Sequence, residues 1–563
     1  MEYKEIKFLS KGALFSSLGS ITGAALGYLY LLMLARLLGP YWLGVYAIGV
    51  TIIQGAALIS QLGFPFSLLR FIPIYRTTDD HSSLKGLFWF SLSITLVVSC
   101  LAALLLTFGA KFISQIFIKD DNFIRPLQFF SLAVPLLSIH ALMSSMLRGT
   151  KNIGAMVFIQ CLPDFLIIVL FLVFLRYFTM DIFAAILACS GAYFFAVALG
   201  SKMLFFRLPY VFKKEITMKV DTAKILLYSL PLLFFEGMRS FFIRTDVLMI
   251  GYFLSAKMAG LYSPALQLSF LVSFGLYMFN QPFAPLISEY YHHKKIEELA
   301  KLYKTTTRWV FMIGFSCFLF LILFGKEMLQ LFGENFVQAY PALIILSAGQ
   351  LINAGVGSAG LSLIMTGYQR FVFITTVCAN IINIVFNLIL IPRLGITGAA
   401  IATAAAVGVF NIMNLSYVKV AINIQPYTIK FYKPLVSGGV SFLAVFVIKH
   451  LVVFANYIVA LVILGGLFFI TFVLLSAALR FEEQEKYIFA FAVGQVMPSD
   501  DYKKSMGRLA KTEGHLEAYY RIFVNRYLSI SPDFQYIWNP FGKDIADDTS
   551  GIFVGGMRAQ VDF

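Results

Sequence analysis

The chain has 563 residues, 59% hydrophobic and only 13% charged, with 59 Phe and a mean hydropathy of +0.82. A soluble domain is nearer half apolar and a quarter charged, so a water-soluble enzyme of this length is excluded, as is disorder, which needs few aromatics and high charge. The formal charge of +15 does not point to nucleic acid, because basic residues beside membrane spans follow the positive-inside bias.

The N-terminal segment MEYKEIKFLSK carries mixed charge ahead of an apolar run without a small-residue cleavage site, which reads as an uncleaved first helix. From there, continuous apolar blocks long enough to cross a bilayer recur along the chain. Such blocks favour helices over the short alternating segments of a β-barrel. Breaks at charged and Gly/Pro-rich positions delimit fourteen spans: 14–35, 42–63, 86–108, 126–147, 153–175, 182–205, 224–253, 258–287, 308–325, 339–366, 371–391, 397–418, 432–452 and 455–479. The N-terminal segment and the even-numbered loops hold 23 Lys plus Arg against 9 in the odd-numbered loops. This predicts both termini and the basic loops 202–224 and 289–308 on the cytoplasmic side. The five cysteines all fall within apolar runs without a CxxC pair and read as small core hydrophobes rather than disulfide or metal ligands.

The chain also repeats itself. LLGPYWLGVYA (37–47) aligns with FLSAKMAGLYS (253–263) at an offset of 216, sharing the Gly-x-Tyr of Gly44/Tyr46 and Gly260/Tyr262. LRG (147–149) aligns with MTG (365–367), and DIFAAILA (181–188) with ITGAAIAT (396–403), at offsets of 218 and 215. Six spans fit within that offset, so the halves share one orientation, as in transporters built from parallel repeats. The expected organisation is an all-α membrane protein with a six-helix lobe over 1–210, a second over 211–425, two further helices over 426–480, and a cytoplasmic tail over 481–563. Within the tail, Leu509, Leu516, Tyr520 and Phe523 have near-helical spacing, which predicts an amphipathic helix over 501–528.

The runs LARLLGPYWLGVYAIGV (34–50), RTDVLMIGYFLSAKMAGLYSPALQLS (244–269), NQPFAPLISEYYHHKKIEELAKLY (280–303) and NLILIPRLGITGAAIATA (387–404) resemble the polysaccharide-biosynthesis branch of the multidrug/oligosaccharidyl-lipid/polysaccharide exporter superfamily, which includes the O-antigen and lipid-linked oligosaccharide flippases. The resemblance covers about residues 8–480, and the tail has no counterpart in it. It implies two six-helix lobes forming a V around a central cavity, with two additional C-terminal helices.

Ionisable groups at membrane depth are the most informative positions, because each is costly unless it lines a cavity or finds a partner. Span seven holds Glu236, Arg239, Arg244 and Asp246. On a straight helix Arg239 and Asp246 lie about 20° apart and Glu236 about 60° from Arg239, so these three share one face while Arg244 points away. That face would either present cation to a substrate phosphate, since Arg forms bidentate bonds to phosphate oxygens, or form a self-neutralised ladder between helices. Arg36 at the end of span one reads as a snorkelling anchor or a cavity residue, and Arg70 after span two as a guard of the cytoplasmic mouth or a surface anchor. Asp164 and His140 are lone ionisable groups that would bind a coupling H+ or Na+, or else find core partners. Asn380, Asn383 and Asn387 fall on one helical face, suited to interhelical hydrogen bonding or sugar binding.

There is no P-loop GxxxxGK[ST], so the chain does not itself power transport by ATP hydrolysis. No metal cluster or resident cofactor is expected, and no inter-span loop is long enough for the catalytic domain of an integral glycosyltransferase. The expected function is a multi-pass flippase of the cytoplasmic membrane, working by alternating access on a polyprenyl-phosphate- or -diphosphate-linked glycan. Its partners would be membrane lipids and a glycan polymerase or glycosyltransferases, with no nucleic acid. The alternatives are an ion-coupled multidrug antiporter of the same fold or a membrane glycosyltransferase.

Overall fold

The computed structural model describes residues 3–150, 152–177, 182–428, 431–451 and 457–478, and four segments of the tail, 487–496, 513–523, 528–538 and 551–561. The helices in chain order are α1 (Tyr3–Ser60), α2 (Phe64–Thr77), α3 (His81–Phe108), α4 (Ala110–Phe117), α5 (Ile124–Ser131), α6 (Ala133–Gly149), α7 (Ile153–Tyr177), α8 (Ile182–Arg207), α9 (Thr222–Phe253), α10 (Ala256–His292), α11 (Ile296–Gln330), α12 (Tyr340–Val356), α13 (Ala359–Met365), α14 (Gln369–Leu394), α15 (Ile396–Ala421), α16 (Tyr432–Leu451) and α17 (Tyr457–Ala478). Among the described residues twelve helices are long and apolar enough to cross a bilayer, or thirteen when the bent α9 is taken as one span. One of them, Ile21–Ser60, has 40 residues and as a straight rod would measure about 60 Å, twice the bilayer core. It is interrupted at Gly39 (φ 79°, ψ 176°), followed by Pro40. Divided there, it supplies spans one and two, so the described residues hold fourteen spans, the number read from the sequence.

The repeat markers meet at the centre of the fold. A side chain added at Gly44 would lie 1.7 Å from the carbonyl oxygen of Ala256, and one added at Gly260 would lie 1.9 Å from that of Pro40. Positions 40 and 44 correspond to 256 and 260 at the offset of 216. The contact is therefore self-complementary, with each repeat pressing the same glycine against the other's backbone, as a two-fold axis between the repeats demands. Only a residue without Cβ permits this approach, which explains both glycines of the Gly-x-Tyr pair. The main apolar core runs through the same place, uniting Leu34, Leu43, Ile48 and Phe130 of the first half with Ile250, Leu261, Leu268 and Leu343 of the second.

Outside the repeat, α16 packs on α11. Lys449 reaches the carboxylate of Glu327 at 2.7 Å and also the carbonyl of Leu323, while Val445, Leu464 and Phe468 bury apolar surface against Leu319 and Phe324.

Residues 470–563 form a separate unit. The membrane portion is helical as expected, but the tail carries four antiparallel strands in consecutive order: β1 (Tyr487–Val496), β2 (Glu513–Phe523), β3 (Leu528–Trp538) and β4 (Gly551–Val561). The predicted amphipathic helix over 501–528 is thus corrected: its described part is β2 and the first residue of β3, while Leu509 lies outside the described residues. Leu516 and Tyr520 are four apart, a spacing that suits a period of 2.0 as well as 3.6. The pairing register shows which period applies. It pairs Leu516, Ala518, Tyr520 and Ile522 with Val493, Phe491, Phe489 and Tyr487, the alternation of period 2 that a strand has.

Candidate functional site

Two polar features stand out in the helical portion. The first is a cavity of about 410 Å³ bounded by α1, α2, α6, α7 and α9 and the turn between α1 and α2. Its polar lining comprises Gln61, His140, Ser144, Ser145, Arg148, Gln160 and Glu236, with Leu58, Pro65, Phe66, Met156 and Leu233 between them. His140 is fixed by a 3.0 Å hydrogen bond between its Nε2 and the carbonyl of Ile159 and by the edge of the Tyr193 ring. Arg148, an exposed residue in the last turn of α6, makes no ion pair among the described residues.

The second feature surrounds Asp246, which is 1% exposed. Tyr262 of α10 donates its hydroxyl to Oδ2 at 2.8 Å, and the Thr403 hydroxyl of α15 donates to the same atom. The amides of Asn387 and Asn383 on α14 donate to Oδ1 at 2.9 and 3.2 Å. Asn383 also donates to Thr403 at 3.1 Å, and Asn387 to the Asn383 side-chain oxygen at 3.0 Å. The Asn387 side-chain oxygen is buried and accepts no hydrogen bond among the described residues. Asp246 is thus a carboxylate at membrane depth held entirely by neutral donors from three other helices.

The single charged face expected on span seven does not exist. Helix α9 is bent by 56° between Thr222–Phe241 and Arg244–Phe253, so angular reckoning at 100° per residue does not carry from Arg239 to Asp246. The bend has a local cause. Asn380 of α14 donates to the carbonyl of Met238 at 3.1 Å, the acceptor that helix geometry assigns to the amide of residue 242, and insertion of a side chain into that ladder kinks a helix. Glu236 and Arg239 remain together below the bend, with Nε of Arg239 2.9 Å from Oε2 and Nη2 closing the second bond. Asp246 belongs instead to the α10–α14–α15 cluster.

The remaining candidates are dispersed. Arg36 donates to the carbonyls of Leu331 and Gln330 at 2.5 and 2.9 Å and to the Tyr457 hydroxyl at 3.3 Å. It caps the C-terminus of α11, where unpaired carbonyls favour a cation, and does not line the cavity described above. Arg70 is exposed on α2, above the ring of Tyr228 at 4.4 Å. Arg244 is half-buried beyond the bend and makes no ion pair among the described residues. Asp164 is half-buried on α7, with one oxygen 3.0 Å from where a side chain at Gly23 would begin. Of the predicted residues, only Glu236 and His140 meet in the cavity. Sequence reasoning passed over Arg148, Tyr262 and Thr403 as site residues. All three lay within the aligned repeat segments, the one signal that marked them.

A family model described as polysaccharide biosynthesis protein matches residues 9–291, half of the chain. The chain belongs to this family. It is a multi-pass membrane protein of the flippase branch of the multidrug/oligosaccharidyl-lipid/polysaccharide exporter superfamily, and a second model of that superfamily, MatE, matches residues 231–389. It is 23% identical to the stage V sporulation protein B of Bacillus subtilis over 479 residues, covering 77% of this chain and 88% of the relative. It is 25% identical to the probable low-salt glycan biosynthesis flippase Agl15 of Haloferax volcanii over 185 residues, 32% of this chain and 38% of that one. Among solved structures, the lipid II flippase MurJ in an inward closed conformation superposes with a TM-score of 0.62 at 14% identity, covering 83% of this chain and 98% of that one. An inward-facing multidrug resistance MATE transporter gives the same score at 14% identity, covering 72% and 94%. These two likenesses concern the fold. The tail is similar to a different family, the carbohydrate-selective porins, over residues 475–563.

Proposed function

We propose that this flippase moves a polyprenyl-phosphate- or -diphosphate-linked oligosaccharide across the cytoplasmic membrane by alternating access of its two repeats, supplying polysaccharide or glycoconjugate assembly. The observation that carries the reading is the polar-lined cavity inside an apolar bundle. Its hydroxyls and amides suit sugar hydroxyls, and Arg148, together with the Arg239 that the cavity-lining Glu236 holds, suits phosphate. The lipid chain would stay in the bilayer, so only the headgroup needs a polar path. The relatives named as flippases point the same way. The excess of Lys and Arg in alternate loops supports placing both termini in the cytoplasm.

Coupling to an ion belongs, in this reading, to Asp246 rather than to Asp164 or His140. A buried carboxyl ringed by hydroxyls and side-chain amide N–H donors suits the uptake and release of a proton. Its partners come from three helices, so its occupancy would bias how those helices pack.

The test is transport in proteoliposomes containing a fluorescent, short-chain polyprenyl-diphosphate-linked disaccharide. Wild-type protein is expected to expose the inner-leaflet pool to an added glycosidase, and Arg148→Gln to slow exposure at least about tenfold, the loss of one charge-assisted phosphate contact. Exposure no faster than in protein-free vesicles, with transport of a cationic dye instead, would refute the reading.

A further inference from the structure

This inference rests on the phosphate-bearing substrate proposed above and concerns what holds Arg239 before that substrate arrives. Glu236 lines the cavity, whereas Arg239 does not. Both oxygens of Glu236 are spent on the Nε–Nη2 edge of Arg239. That edge is the two-donor fork that a pair of phosphate oxygens would take, so carboxylate and phosphate compete for one seat. The pair is not sealed in a core: the Arg239 side chain is 57% exposed and that of Glu236 23%. Exchange of partners therefore does not require prising apart a pair packed on all sides within the protein, the usual obstacle to opening a buried ion pair. The two residues stand three apart on one helix, so a change of side-chain rotamer is enough to separate them. A released Glu236 also has a second cation available, because Arg148 lines the same cavity and makes no ion pair among the described residues.

We infer that Glu236 is an internal stand-in for the substrate phosphate, occupying the fork of Arg239 in the empty transporter and giving it up when an anionic headgroup binds. The device discriminates by charge, since a neutral glycolipid cannot displace a carboxylate from a guanidinium. It also speeds release, because the returning carboxylate competes with the departing phosphate.

The test uses the purified full chain in detergent, titrated with geranylgeranyl phosphate and, as the neutral probe, geranylgeraniol. Wild type is expected to prefer the phosphate. Glu236→Gln should bind the phosphate about tenfold tighter, one charge-assisted hydrogen bond's worth, with the alcohol unchanged. Glu236→Asp keeps the negative charge but draws it back from the fork, and should tighten phosphate binding in the same direction. The gain should vanish when either change is combined with Arg239→Gln. In proteoliposomes Glu236→Gln should lower KM and kcat together, whereas a merely structural pair would lower yield and melting temperature and leave affinity alone. Wild-type preference for the phosphate without tightening in either Glu236 variant overturns the inference and spares the substrate reading. Tightening that persists alongside Arg239→Gln also overturns it. Equal affinity of wild type for phosphate and alcohol overturns the substrate reading, and the inference with it.

Discussion

The two halves of the membrane portion put different chemistry at equivalent points. At the offset of 216, Asp246, Tyr262 and Asn387 of the second repeat correspond to Tyr30, Tyr46 and Phe171 of the first. In the second repeat these positions are joined by hydrogen bonds to a buried carboxylate. In the first they form an aromatic cluster, with the Tyr30 ring 5.7 Å from that of Tyr46 and 5.6 Å from that of Phe171, each edge-on. The Tyr30 hydroxyl donates to the carbonyl of Ala185 at 3.4 Å and also meets the Tyr46 hydroxyl. One backbone arrangement therefore supports a packed apolar joint on one side and a polar, titratable joint on the other. An ion that acts at one joint alone has a way to move one repeat relative to its twin, which a symmetric pair of sites would not give.

The largest test of this contrast is to exchange the two chemistries. Asp246→Asn preserves size and the neutral network, so the protein should insert and melt near the wild-type temperature while ion-coupled transport falls by two orders of magnitude or more, roughly the loss expected of an essential charged group. Tyr30→Phe, at the equivalent point, should leave transport within about twofold, because the hydrogen bonds lost join only neutral groups. Tyr30→Asp should not create a second site. It places a carboxylate among aromatic rings without the Asn and Thr donors, and costs several kcal/mol, visible as collapsed yield. A stable, active Tyr30→Asp protein would show that the two joints are interchangeable and dissolve the comparison.

These residues also show what was legible in the amino-acid order. Fourteen spans and the repeat were readable because both are written in periodicity, which local sequence carries. The Gly-x-Tyr pair and the Ile-Thr-Gly-Ala-Ala run were recognised as repeat markers, yet their structural role as helix–helix contact and as donors to Asp246 depends on the register between distant helices. The bend in α9 was hidden for a similar reason: its cause, Asn380, lies 142 residues from the carbonyl it captures. Arg148 was visible as a charge, but only the fold turns the end of α6 toward a cavity. In the tail, the four-residue step from Leu516 to Tyr520 satisfied both candidate periods, and pairing between strands settled what a single strand could not.

A smaller effect tests the symmetry itself. Gly44→Ala and Gly260→Ala each insert a methyl into the opposite backbone at nearly equal depth. Each should destabilise by about 1–3 kcal/mol, and the two should match within a few tenths in thermal or denaturant unfolding. The double variant should cost less than the sum, because the first methyl already separates the helices that the second would push apart. Unequal single effects would mean that the contact is carried mainly by one repeat, despite its mirrored geometry.

The smallest expected effect concerns the ends of the equivalent helices α3 and α11. Asp80 caps α3, accepting the amide of Ser83 at 2.9 Å, whereas Lys295, at the corresponding start of α11, gives no side-chain cap. The Ser83 backbone N–H, and then its hydroxyl, hold the Asp80 carboxyl below the ordinary aspartate range. A carboxyl held lower in the folded state contributes stability above its unfolded pKa and loses it as pH falls through the folded value. Asp80→Ala should therefore cost about 1 kcal/mol at neutral pH, the typical value for a helix N-cap, and almost nothing once the wild-type carboxyl is protonated. Lys295→Asp should do the reverse for α11, adding a cap and a favourable charge at a helix N-terminus. Unfolding of wild type and both variants at neutral and strongly acidic pH measures this directly. A cost for Asp80→Ala that is independent of pH would assign Asp80 a packing role and leave both helix starts governed by the chains around them rather than by their caps.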